Sequence, residues 1–276
     1  MKVVQKITEL RALIAEQKRN GPTIGLIPTM GNLHDGHLSL VKKAKEDKHF
    51  VVTSIFVNPI QFGPAEDFNS YPRTLDADIE KIKQYCDIVF VPAVTDMYGN
   101  DSACVVTETQ KSTKLCGRFR PAHFDGVLTV VLKLFNICSP DTAYFGLKDY
   151  QQFVLIKDMA SKFDLNVTVV GCPLIREMDG LALSSRNSYL DSAQRNRALA
   201  LNESLLKIKE LFASGKNDIT HLKAKALEIL FPRVAVQYFE IVNADSLEAV
   251  KAASKGDIVA VAAFCDKVRL IDNIIL

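Results

Sequence analysis

The stretch Pro28-Thr29-Met30-Gly31-Asn32-Leu33-His34-Asp35-Gly36-His37 decides how this chain is read. Before it runs Thr23 to Ile27, short and apolar, the pattern of a buried strand. After it comes Leu38-Ser39-Leu40-Val41-Lys42-Lys43-Ala44, which starts a helix. Two glycines and two histidines therefore stand where a first strand turns into a helix. In open α/β sheets such a junction receives phosphates and nucleotides.

Working outward, strand and helix alternate through the first part of the chain. Ile7, Leu10 and Ile14 recur at helical spacing within residues 5–19, and Asn20-Gly21-Pro22 stops that helix. Phe50 to Val57 is a nearly continuous apolar, β-branched run, the mark of a strand covered on both faces. Asn58 to Pro64 reads as a loop. Thr74 caps a helix whose first turn holds Asp76 and Asp78, favourable at that end of the dipole. Asp87 to Val91 is a strand, and residues 92–125 are loop-rich with one strand near Ala103 to Thr107. An apolar helix covers Val127 to Ile137, and Thr142 to Phe145 is a strand. A helix over Tyr150 to Phe163 and a strand over Asn166 to Val170 follow. This is the pattern of a doubly wound parallel sheet, an α/β fold.

The character changes near Leu174. Residues 192–214 and 218–230 read as two helices. Val234 to Val242, Asp257 to Phe264 and Val268 to Ile275 read as strands around one short helix, with a hairpin turn at Cys265-Asp266-Lys267. The expected division is a doubly wound α/β domain over 1–174 and a smaller α+β domain over 175–276.

Composition narrows the function. The 276 residues are 48% apolar and carry a net charge of +2 from 34 basic and 32 acidic side chains. That balance gives no electrostatic reason to expect nucleic-acid or membrane binding. No run approaches the roughly 20 apolar residues of a membrane span. Glu9, Arg11 and Glu16 interrupt any signal-peptide core. Six scattered cysteines, without C-x-x-C pairs or zinc spacing, fit reduced thiols in a cytoplasmic protein.

The chemistry-bearing residues gather at strand-to-helix turns. Gly36 lets a backbone or phosphate approach closely. His37 falls in the first turn of a helix, where the dipole favours a bound anion over an added positive charge. Two imidazoles with free backbone N–H groups suit charge developing at an α-phosphorus. An isolated histidine pair is more often two exposed loop side chains, and the strand-turn-helix context reverses that reading.

A second such turn is Phe145-Gly146-Leu147-Lys148-Asp149-Tyr150-Gln151-Gln152. Lys148 suits phosphate charge there and Asp149 a ribose hydroxyl, with ordinary helix capping as the alternative. Leu181-Ala182-Leu183-Ser184-Ser185-Arg186-Asn187 puts two hydroxyls beside an arginine, a phosphate clamp or a solvated linker. Asn58 and Gln61 follow a buried strand and offer neutral amides to a hydroxy acid. Gly117 to Gly126 packs Arg118, Arg120, His123 and Asp125 into one loop.

Six blocks in order resemble one family, pantoate–β-alanine ligase. They are Pro28 to His37, Phe56 to Phe62, Tyr71 to Thr74, Arg118 to Gly126, Phe145 to Gln152 and Asp179 to Asn187. The resemblance covers the first two-thirds of the chain, and the last third matches in length and pattern. It implies a nucleotidyltransferase fold with the H-x-G-H turn and a two-step reaction. Pantoate and ATP give pantoyl adenylate and pyrophosphate, and β-alanine then takes the acyl group, releasing AMP.

By the same resemblance Met30, Gly31, Asn32, Leu33, His34, Asp35, Gly36 and His37 form a first ATP segment. Gly146, Leu147, Lys148 and Asp149 form a second, and Leu183, Ser184, Ser185 and Arg186 a third. Ile175 falls at a backbone contact to adenine. His37, His34 and Lys148 are the expected catalytic groups, with His37 read as orienting phosphates rather than as an obligatory acid. Gln61, Gln152 and Asn58 are expected on pantoate and β-alanine. Mg2+ accompanies ATP, its protein ligands unassigned, and a homodimer is implied.

Two positions depart from the family's pattern: Leu147 where glutamate is common, and Ala122 where glycine is common. Nucleotidyl transfer to another acceptor and a nucleotide-binding module without turnover are the competing readings. A nicotinamide dehydrogenase is disfavoured because no G-x-G-x-x-G follows the first strand.

Overall fold

The computed structural model describes residues 1–64, 66–100 and 104–276. Its larger sheet is parallel throughout and joins β1 (Lys2–Val4), β2 (Ile24–Thr29), β3 (Phe50–Ile55), β4 (Ile88–Phe90), β5 (Thr142–Gly146) and β6 (Thr168–Cys172) in the order β1-β4-β3-β2-β5-β6. The helices are α1 (Ile7–Arg19), α2 (Asp35–Glu46), α3 (Leu75–Ile82), α4 (Val94–Tyr98), α5 (His123–Cys138) and α6 (Tyr150–Lys162). The order reverses between β2 and β5, and ligands of open α/β sheets bind outside the carboxyl ends of strands at such a switch point.

The sheet opens there for a reason written in β2. The backbone groups of Thr23 and Thr29 bond toward β3, whereas Ile24 bonds toward Asp141 at the start of β5. By strand alternation Pro28 shares the Ile24 side, and it has no N–H to give. Pairing of β2 with β5 covers Gly25–Leu26 against Thr142–Ala143. Its pairing with β3 continues to Thr29.

β2 and β3 are buried along almost their whole length, with Ile24, Leu26, Ile27, Val51 and Val52 inaccessible to water. This is why both read as continuous apolar runs. α5 buries Val127, Leu128, Val130, Val131, Leu134 and Phe135. Gly126 lies against the loop after β3. A Cβ there would sit 2.6 Å from the Gln61 Cα, the Gln61 N and the Ile60 carbonyl oxygen.

The chain divides into two compact units. The first takes Met1–Ser112, Arg120–Leu147 and Gln152–Pro173; the second takes Thr113–Phe119, Lys148–Gln151 and Leu174–Leu276. Two short segments from the earlier chain thus belong with the C-terminal part, a discontinuity that a single cut of the sequence cannot express. The second unit contains α7 (Ser192–Ala198), α8 (Ala200–Ala213) and α9 (Ile219–Leu230). They accompany an antiparallel sheet β7 (Ala235–Val242)-β8 (Ile258–Cys265)-β9 (Val268–Ile275). Its core gathers Leu201, Leu205, Ile208, Leu222, Leu230, Ile241, Val259 and Val261.

Several sequence expectations change. β1 is an addition to them; three residues carry too little pattern to stand out. Cys104 to Thr107 form no strand, the Val106 N–H donating instead to Thr129 Oγ1 at 2.8 Å, and Ala103 lies outside the described residues. The helix expected over 192–214 is divided at Leu199. Leu199 keeps helical dihedrals (φ −58°, ψ −22°), and Glu203 N–H still bonds the Leu199 carbonyl, so the division is slight. Among the described residues no helix lies between Val242 and Ile258; turns and isolated bridges fill that interval. The hairpin turn after Cys265 is present, with Asp266 at φ 53°.

Ala122 adopts a left-handed conformation (φ 63°, ψ −1°), which suits glycine and is strained for alanine. Among the described residues no helix is long and apolar enough to cross a membrane.

The tight seat of Gly126 makes a direct prediction. Gly126→Ala should destabilise the protein by ~2–3 kcal/mol, because the backbone around Gln61 cannot yield to a methyl. Thermal unfolding checks it, and an unchanged midpoint would show that the loop gives way freely.

Candidate active site

β2 ends in a turn whose backbone is bonded from elsewhere in the chain. Gly31 (φ 85°) and Asn32 (φ 49°) are both left-handed, which glycine adopts freely and asparagine tolerates. Their backbone is secured from α3. Asp78, only 2% exposed, accepts the Asn32 N–H at 2.9 Å and the Leu33 N–H at 2.7 Å. Lys81, three residues on, donates to the Leu33 carbonyl. From β2 itself, Thr29 Oγ1 accepts the Gly31 N–H at 3.3 Å and donates to the Ser54 carbonyl at 2.7 Å.

This corrects the expected role of Thr74. Its side chain accepts no backbone N–H at the start of α3, and its hydroxyl donates to Asp78 Oδ1 at 3.2 Å. Asp78 is likewise no ordinary first-turn acid facing water. It spends its acceptors on the turn.

His34 is the N-cap of α2 and His37 the third residue inside it. Their rings lie 4.1 Å apart between centroids, tilted by 36°. The His34 N–H donates to His37 Nδ1 at 3.3 Å. A ring nitrogen that accepts carries no proton, so neutral His37 keeps its hydrogen on Nε2. His37 is thereby set to donate through Nε2, beside a helix N-terminus that favours anions.

The second feature of the first unit is a directed chain of amides. Asn58, 1% exposed, follows β3 and donates through Nδ2 to the Gly126 carbonyl at 3.0 Å and to Gln61 Oε1 at 3.1 Å. Gln61 Nε2 points at Met30 Sδ, 3.0 Å away. The Gln61 carbonyl meets His123 Nδ1 at 2.8 Å, and Arg120 Nη1 lies 2.8 Å from His123 Nε2. A guanidinium only donates, so His123 accepts at Nε2 and donates from Nδ1. Arg120 also grips Glu66 with two bonds of 2.6 Å. Burial opposes the Glu66 charge, but Arg120 and the Gly63 N–H outweigh it and hold its carboxyl down to about 2.

The structure thus brings together Met30 to His37, Asn58 and Gln61, all in the first unit and after β2 and β3. Gly146 ends β5, the strand next to β2 at the switch point, and Leu147 opens the 3-10 turn after it. Leu147, which stands where the family commonly has glutamate, packs toward Gly171: a Cβ on that glycine would meet its Cδ2 at 2.6 Å. Gln152 lies half-buried in the first turn of α6.

The remaining candidates belong to the second unit. Lys148 and Asp149 sit in a 3-10 turn, with Nζ and Oδ2 3.9 Å apart. The Lys148 carbonyl accepts from Asn273 Nδ2 of β9 at 2.8 Å. Ile175 is partly exposed, and its carbonyl accepts the Leu183 N–H at 3.0 Å. Ser184 caps a 3-10 turn over Ser185–Tyr189 by accepting the Arg186 N–H at 3.2 Å. Asn187 ties that turn to Ala182 and Glu177. Among the described residues no cluster of three or more His, Cys, Asp or Glu is placed for a metal ion.

The sequence alone did not mark Asp78 and Lys81 as holders of the turn, nor Glu66 as the partner of Arg120. Asp78 and Lys81 stand about 45 residues from the turn they hold, and no local pattern links them.

A parallel sheet with a two-histidine turn beside its switch point, and a pair of directed amides after the next strand, defines a nucleotide-using enzyme of the H-x-G-H kind. Comparison makes this specific. The family model described as pantoate-beta-alanine ligase matches residues 2–275. The pantothenate synthetase of Fervidobacterium nodosum is 49% identical, the alignment covering 100% of this chain and 99% of that one. That of Thermosipho africanus is 48% identical with full coverage of both. The crystal structure of pantothenate synthetase from Thermus thermophilus superposes with a TM-score of 0.93 at 39% identity, covering 99% of each chain. A pantoate-beta-alanine ligase from Francisella tularensis, complexed with beta-gamma ATP and beta-alanine, gives 0.81 at 34% identity, covering 100% of this chain and 97% of that one. This chain belongs to the pantoate–β-alanine ligase family and is an enzyme of that family.

The α3 clamp is testable. Asp78→Asn replaces one acceptor oxygen by an amino group that cannot receive the turn's N–H groups. It should raise KM for ATP roughly tenfold, the cost of leaving one buried donor unpaired. Steady-state kinetics against ATP decide it; an unaltered KM would mean that the turn holds itself.

Proposed function

We propose that this chain makes pantothenate by ATP-dependent condensation of pantoate with β-alanine, through pantoyl adenylate. The family match over residues 2–275, on a chain whose H-x-G-H turn is held by Asp78, carries this reading. In the first step a pantoate carboxylate oxygen attacks the α-phosphorus of ATP, and the bond to the pyrophosphate oxygen breaks. In the second the amine of β-alanine attacks the acyl carbon, AMP leaves with the bonding pair, and the amine loses a proton.

The residues divide the work by chemistry. The Met30–His37 turn meets the phosphates with backbone N–H groups and imidazoles. His37 contributes an Nε2–H donor to charge building on the α-phosphate; the transfer at phosphorus itself requires no proton from it. Lys148 offsets the charge of the departing pyrophosphate, Asp149 takes a ribose hydroxyl, and the Ile175 backbone contacts adenine. Leu183, Ser184, Ser185 and Arg186 act on the phosphates. Gln61 and Gln152 hold pantoate, with Asn58 behind Gln61 and Gln61 also facing β-alanine.

Mg2+ would accompany the nucleotide. It is usually held by substrate phosphates and water with one or two carboxylates, which asks for no protein cage. Its chemistry is to neutralise phosphate charge. The resemblance supports a homodimer, and six free cysteines support a cytoplasmic location.

The test is pantoate-dependent exchange of labelled pyrophosphate into ATP without β-alanine. Exchange is expected in the unmodified protein and should fall at least about a hundredfold in His37→Ala and Lys148→Ala, in line with losing one electrostatic stabiliser. Folded protein with no exchange would refute the acyl-adenylate route.

A further inference from the structure

Tyr98 ends α4 and is part of no ATP segment or substrate contact named above. Its hydroxyl donates to Asn58 Oδ1 at 2.7 Å. Its ring lies near Phe56 and beneath the Lys133 ammonium, so the hydroxyl is carried by a fixed body.

Amide side chains have two ends that differ only in hydrogen bonding, and their order must be set by neighbours. Here it is set step by step. The Gly126 carbonyl only accepts, so the Asn58 amino group faces it. Asn58 Oδ1 therefore faces Tyr98, which must donate. The second Asn58 amino hydrogen goes to Gln61 Oε1. That leaves Gln61 Nε2 pointing outward with its hydrogens, and its partner there is the Met30 thioether, a weak acceptor. A carboxylate or hydroxyl oxygen is a far stronger acceptor and displaces a thioether easily.

We propose that Tyr98 is a positioning residue for the acid substrate: through Asn58 it fixes the Gln61 amide with N–H, and not C=O, toward a carboxylate or hydroxyl oxygen. The proposal rests on the reading that Gln61 contacts pantoate. Without the Tyr98 hydroxyl, Oδ1 of a nearly inaccessible Asn58 has no donor. Asn58 then turns to find one, and Gln61 loses the partner that holds its orientation.

The experiment measures Kd for pantoate by calorimetry with α,β-methylene-ATP present, so that adenylation cannot occur. It uses unmodified protein, Tyr98→Phe, Gln61→Ala and the double variant. Tyr98→Phe keeps the ring and its packing. It should weaken pantoate about tenfold and leave the affinity for the nucleotide within twofold. In the Gln61→Ala background the same substitution should change pantoate affinity no further, because the two act as a unit. An undiminished tenfold loss in that background overturns the proposal. So does no loss in Tyr98→Phe alone, or equal weakening of nucleotide and pantoate, which marks a general structural effect. If Gln61→Ala alone leaves pantoate binding unchanged, the Gln61 reading itself has failed and the proposal falls with it.

Discussion

A buried carboxylate holds the turn between β2 and α2. Asp78 is surrounded by protein, and a buried carboxylate is tolerated only when donors satisfy it. The donors are the Asn32 and Leu33 N–H groups and the Thr74 hydroxyl. The need is mutual: two N–H groups of a left-handed turn would otherwise be unpaired, and the carboxylate would otherwise be uncompensated. With Lys81 on the Leu33 carbonyl, both polarities of that peptide region are secured from one helix. The N-terminus of α2 follows directly, so the seats of His34 and His37 inherit this fixity. An anion site gains most from being preformed, because little reorganisation remains to be made when charge develops.

The amide chain beside it obeys the same logic with neutral groups. Gly126 permits close approach, its carbonyl orients Asn58, and Asn58 orients Gln61. His123, acting as acceptor from Arg120 and donor to the Gln61 carbonyl, fixes the backbone under that side chain. On the proposed reading that Gln61 holds pantoate, neutral amides suit an acid whose carboxylate must still act as a nucleophile. A salt bridge to lysine or arginine at that point would draw off the charge that attacks phosphorus.

How much of this was legible in the sequence depends on the range of the interaction. The α/β alternation, the strand Phe50–Ile55 and the strand-turn-helix setting of His34 to His37 are local patterns, and they appear where the residues placed them. The candidate residues of the first unit meet for the same reason: each follows a strand of one sheet. Asp78 had only its local meaning, an acid in the first turn of a helix, because its true partners lie far away in sequence. Tyr98 had no signal, since its value comes from a single hydroxyl meeting one amide oxygen. β1 was too short to register, and the division at Leu199 has no glycine or proline to announce it.

Preformation of the turn is the central claim, and amide hydrogen exchange tests it most directly. In nucleotide-free protein the Asn32 and Leu33 amides should already be protected, exchanging at least about a hundredfold more slowly than unstructured backbone, because Asp78 receives both hydrogens. Rapid exchange at these two amides without nucleotide, with protection only after ATP is added, would contradict the account: the turn would then be built by its ligand.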